Sequence, residues 1–336
     1  MKYVPNSDNC RTFATREPAK PLNDAQMCGS FFSMTTKASF DKSYKSPEES
    51  IEILKSRGLI VSDENKARHY LSHIGYYRLS AYMYPLLCMP KEQHIFKEGA
   101  SFDKIMMLYR FDKKLRMLLF NEIEKIEVAI RSLIVNIGCS MSKDPFWITD
   151  FNNFANKTRF DKTVHLIDEE LKHTKEEFIS HFKKTYSNQY PPAWMLMEIL
   201  PFGVVTNIYA NIKDNKIKKR ISQSFGLQVA PFESWLTIVA VTRNSCGHHA
   251  RIWNRVFSIR ATMPNKMSRP WLKLKTDPLR VYFDMCIIKY FLDVVSPGND
   301  MLDKMLSLFS DYPEIDLKAL GFPAGDWQAE PLWIGR

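Results

Sequence analysis

The chain has 336 residues, room for one large core or two modest ones at roughly 150 residues per domain. With 45% hydrophobic, 13% aromatic and 25% charged residues it is too apolar to be disordered overall, and no apolar run approaches the ~18 residues of a membrane span. The 47 basic and 37 acidic side chains leave a net charge of +10, which favours a polyanionic partner if the excess is concentrated on one surface.

Residues 1–45 mix Pro, Ser, Asn and Lys without an apolar period and read as a loosely ordered tail. They lack the uninterrupted apolar stretch of a secretory signal, so a cytoplasmic protein is expected. Order begins at SPEESIEILKSRG, where Ser46 caps, Pro47 fits the first turn, Glu49 completes a capping box and Gly58 stops the helix. A second helix is predicted from Ser62 or Asp63 to about Pro85, bent at Gly75, with Tyr70, Tyr76, Tyr77, Tyr82 and Tyr84 read as core packing rather than as a base-stacking stripe. From Phe102 to Ile137 apolar residues recur every three or four positions, giving a helix of roughly 50 Å that Gly138 is expected to stop. One amphipathic helix is predicted over 159–185, followed by an apolar stretch from Ala193 to Ile212 interrupted at Pro201-Phe202-Gly203. The run from Trp235 to Thr242 could be a strand by β-branching, but it has no turn-bounded partners, so a buried helix is preferred. Helices over 278–295 and 299–310 complete an all-α bundle, and the tail from Pro323 is expected to pack irregularly. The resulting division is a tail at 1–45, a helical body at 46–312 and a C-terminal tail at 313–336.

Charge is indeed concentrated. Residues 241–281 hold nine basic side chains and one acid, a local +8, which favours a phosphate-binding surface over a merely solvated face. The densest set of reactive side chains, RNSCGHHARIWNR, lies at the end of the buried apolar run. Histidine exchanges protons near neutrality and arginine forks onto phosphate, so Arg243, His248 and His249 suit cleavage of RNA through its 2′-hydroxyl, with plain RNA contact as the alternative. Cys246 is read as a small packing residue rather than a nucleophile, Trp235 and Trp253 as core anchors, and Glu124 and Glu127 as a solvated face rather than partners of Arg243. His69 and His73 are spaced for a shared metal, but nothing nearby completes a ligand set, and no glycine-rich phosphate loop is present. Neither metal nor cofactor is expected.

The stretch RNSCGHHARIWN resembles the signature of the Abi-D/F abortive-infection family and contains an R-x4-H motif, Arg243 to His248, similar to that of HEPN ribonucleases. The segments ESIEILKSRGLIVSDENKARHYLSHIGYYRLSAYMYPL, LYRFDKKLRMLLFNEIEKIEVAIRSLIVN and PPAWMLMEILPFG resemble the same family, so the likeness covers about residues 46–295. It implies a HEPN-like helical bundle with additional helices and a metal-independent endoribonuclease of antiphage defence, with its catalytic segment at about 232–262. Arg243 and His248 would be the catalytic pair, Asn244 would orient them, and His249 is a second candidate. On a regular helix Arg243 and His248 stand about 140° apart, so they meet only if the arginine reaches around or Gly247 loosens the turn. Arg131 is followed by Asn136 rather than a histidine five positions on, so a second motif is absent and a homodimer joining two copies is implied. Arg251, Arg255, Arg260, Lys266, Arg269, Lys273 and Lys275, with Lys216, Lys218, Lys219 and Arg220, are expected to contact RNA. The resemblance also implies control by a small structured non-coding RNA; no DNA or membrane partner is expected.

Overall fold

In chain order the helices are α1 Pro47–Ser56, α2 Glu64–His73, α3 Tyr76–Met83, α4 Phe102–Ser142, α5 Lys157–His173, α6 Glu177–Thr185, α7 Ala193–Ile199, α8 Phe202–Asn211, α9 Asn215–Ser224, α10 Val229–Gly247, α11 Val281–Val295, α12 Met301–Asp311 and α13 Pro331–Ile334. They come from a computed structural model that describes residues 39–40 and 43–334. The fold is all-α: among the described residues only isolated bridges such as Leu87 with Phe96 add extended pairing. The tail predicted for residues 1–45 lies almost wholly outside the described residues, as do Cys10 and Cys28.

Two compact units emerge, one up to Arg110 and one from Phe111 onward. In the first, Ser46 and Glu49 form the expected capping box, Asp63 caps α2, and Leu54, Ala67, Leu71 and Leu79 make the core. Gly75 does more than bend the predicted helix. At a φ of +90° it breaks the run into α2 and α3, a conformation open to glycine. The tyrosines do not form one core stripe: Tyr82 is buried, whereas Tyr77 and Tyr84 project to solvent.

The second unit is organised by the apolar stripe of α4, in which Phe111, Leu115, Leu119, Ile123, Ile126 and Ile130 are buried. Gly138 lies inside this helix instead of ending it, because a Cβ there would run into the Trp147 ring. The single helix predicted over 159–185 is two, α5 and α6, parted at Thr174–Glu176, where Thr174 is extended. The Trp235–Thr242 run is helical, as expected. Phe225, Phe232, Phe291, Trp235 and Tyr290 make edge-to-face and tilted contacts that join α9, α10 and α11. Between Gly247 and α11 more than thirty residues run without a helix, tied to their surroundings by bonds such as Trp235 Nε1 to Thr262 O at 3.1 Å. In the C-terminal segment Leu320, Trp327, Leu332 and Trp333 are buried, and Glu330 accepts from the Lys273 and Leu274 amides.

Candidate functional site

The sequence RNSCGHH falls where α10 ends, and the ending is a Schellman motif. His248 is the C-cap, His249 N–H bonds to Cys246 O at 3.1 Å, and Ala250 N–H bonds to Ser245 O at 2.9 Å. His249 therefore occupies the left-handed position, at a φ of +57°, where glycine is the usual residue. Gly247 sits two places earlier, in the helix proper. Asn244, His248 and His249 are exposed and Arg243 is half-buried.

Arg243 is held from α4. Its Nε donates to Glu127 Oε2 at 3.2 Å, and its guanidinium lies 5.4 Å from the centre of the Phe120 ring. Glu127 also pairs with Arg131, and Arg131 donates to the carbonyls of Met197 and Leu200 at the end of α7, the latter at 2.7 Å. Glu127 is thus a bridge between two arginines, contrary to the solvated face expected of it, whereas Glu124 is exposed as expected. No bond joins Arg243 to His248; the structure places both on the last turn of α10 and ties the arginine to α4.

The segment leaving the histidines is fixed by a second pair on α4 that sequence reading missed. Asp112 and Arg116 form a buried ion pair; Asp112 Oδ1 accepts from the amides of Ile252 at 3.1 Å and Trp253 at 2.7 Å, and Arg116 donates to Ala250 O. The available signal was position: both charges fall beside the buried stripe of Phe111, Leu115 and Leu119, where a lone charge would be costly. Beneath the turn, Thr242 Oγ1 donates to Asp284 Oδ2 at 2.9 Å, and burial in α11 pushes the Asp284 carboxyl up to about 7. Burial likewise pushes the Cys246 thiol up to about 12, so it is a packing residue and not a thiolate nucleophile. Trp235 and Trp253 are buried anchors.

The residues expected to contact RNA divide into two sets. Arg260, Lys266, Lys273, Lys275, Lys216, Lys219 and Arg220 are exposed, and Arg251 is half-buried. Three others are engaged within the fold: Lys218 pairs with Glu233 and donates to Ala210 O, Arg269 donates to Tyr290 O at 3.1 Å, and Arg255 stacks over Phe257 and reaches Ser245 Oγ. Among the described residues no group of three or more His, Cys, Asp or Glu side chains could hold a metal ion, and the rings of His69 and His73 meet at a tilt of 34° with centres 4.2 Å apart. No single described helix is long and apolar enough to cross a membrane.

No curated protein and no solved structure matches the chain. Residues 69–254, more than half of the chain, match the family described as Abi-like protein, and the match contains the frame from α4 as well as the whole histidine turn. The chain belongs to the Abi-like protein family, a membership that supports an abortive-infection function.

Proposed function

We propose that the protein is an endoribonuclease of antiphage abortive infection, of the HEPN type, acting at the C-terminal end of α10. The observation that carries this reading is the placing of half-buried Arg243 and exposed Asn244, His248 and His249 at the C-terminal end of α10, with the arginine and the following segment both braced from α4. One imidazole takes the proton of a ribose 2′-hydroxyl, the oxygen attacks the adjacent phosphorus, and the 5′-oxygen departs with a proton from a second donor. The products are a 2′,3′-cyclic phosphate and a 5′-hydroxyl. Arg243 uses Nε for Glu127, which leaves its two terminal nitrogens to face the charge that builds on the phosphorane. A second copy of the chain supplies the second donor, and the exposed lysines and arginines carry the RNA. A small structured RNA bound to the same basic residues restrains the enzyme until infection.

The test is cleavage of end-labelled RNA in EDTA by the wild type, Arg243→Ala, His248→Ala and His249→Ala. Wild-type cutting with cyclic-phosphate ends, reduced about 100-fold or more in Arg243→Ala and one histidine variant, is the expected result. A second reading, an RNA-binding protein that does not cut, draws on the absence of any Arg243–His248 bond. It prevails if no protein cuts and all retain a defined RNA.

A further inference from the structure

Outside its buried stripe α4 carries Met117, on the far side, and Phe120, on the flank that meets the end of α10; they are 63% and 39% exposed. Exposed aromatic rings on a helix are ordinary; the setting of this one is not. One side of the Phe120 ring lies under the Arg243 guanidinium, and its Cε2 edge lies 3.4 Å from where a Cβ on Gly247 would stand. Glycine within a helix costs about 1 kcal/mol relative to alanine. At position 247 it also leaves the Cε2 edge of the ring without the contact that a Cβ would make.

We propose that Phe120 is a stacking platform for an unpaired base of single-stranded RNA, the base next to the phosphate that Arg243 holds. The inference rests on the RNA reading above and adds to it a residue that positions substrate. Phosphate and base are the two recognisable parts of a nucleotide, and here a guanidinium bonded to Glu127 through Nε stands 5.4 Å from the centre of an aromatic ring that is 39% exposed. Aromatic stacking accepts any base, so the platform positions the strand without selecting sequence. A protein partner is a poorer fit. Glu124 interrupts the exposed face between Phe120 and Val128, which breaks the continuous apolar surface that a standard protein interface of roughly 800 Å² per partner needs.

The experiment uses the full-length His248→Ala protein, so that RNA stays intact, and a short single-stranded RNA carrying 2-aminopurine, whose emission falls on stacking. Quenching on binding is expected. It should be lost in the added Phe120→Leu change, with affinity about ten-fold weaker and the same dependence on salt, and restored by Phe120→Trp. Circular dichroism and melting temperature check that the leucine variant is folded. Unchanged quenching and affinity in Phe120→Leu overturn the proposal, as does absence of RNA binding. So does a leucine variant that sediments as a smaller species than its parent, which would assign the ring to self-association. Wild-type cleavage, scored separately, distinguishes the two readings: Phe120-dependent quenching without cutting sinks the nuclease and leaves the platform, and cutting that ignores Phe120 does the reverse.

Discussion

The two ends of α10 are fixed by different physics. Toward its start, Phe232, Trp235, Leu236 and Val239 are buried among aromatic rings of α9 and α11, contacts that exclude water but tolerate small rotations. At its end Thr242, Arg243 and Ser245 meet Asp284, Glu127 and Arg255, and the chain beyond is pinned by Asp112. Burial sets where the helix lies; directed polar bonds set how its last turn is rotated. A site that must aim side chains needs the second as well as the first.

The comparison can be broken first at the aromatic end. Phe232→Ala should destabilise the protein by about 4 kcal/mol in urea unfolding, because the rings of Phe225, Tyr209 and Phe291 cannot close the space. At the polar end, Asp112→Asn leaves Arg116 buried without its counter-charge and should cost about 3 kcal/mol. The asparagine variant should also lose RNA cleavage under conditions where it is still folded, since the segment after His249 is released; Phe232→Ala, where folded, should not.

The third effect is a slope with pH. The folded-state pKa of Asp284 is raised to about 7 from an ordinary 3.8, so the folded form binds the proton more tightly. Its contribution to stability is fully present below about pH 3.8 and is lost as the pH rises through about 7. Wild type should therefore lose stability relative to Asp284→Asn as the pH rises from about 4 to 7 and level off above that, measured as the difference in unfolding midpoints; a constant difference across that range would contradict the assignment. The smallest effect has the opposite sign. His249→Gly removes a side chain from a left-handed position and should raise stability by about 0.5–1 kcal/mol. If His249 takes part in cleavage, the same variant is the more stable and less active protein.

Elements governed by local chemistry were legible in the sequence: the capping box at Ser46 and Glu49, the stripe of α4 and the interruption at Pro201 all depend on neighbours within a turn or two. Gly138 was misread as a stop because its reason is the Trp147 ring, a packing fact with no local signature. The break between α5 and α6 escaped a periodicity that carries straight across it. At the candidate site, the reactive residues were visible as a cluster, but their supports were not. Glu127 looks like an ordinary charge of a solvated helix, and Asp112, whose place beside the buried stripe marks it as buried, names no partner until the distant segment that it holds is in place.

That distance has a consequence for how the protein is made. The bonds that organise the histidine turn join residues 116, 134, 140 and 141 positions apart. Loops of that length close late relative to local helices. A chain emerging from the ribosome presents α4 long before Trp253 exists to meet it, and no fragment ending short of that residue can set the turn. The arrangement is finished only when most of the chain has been synthesised, so partial products of translation lack it.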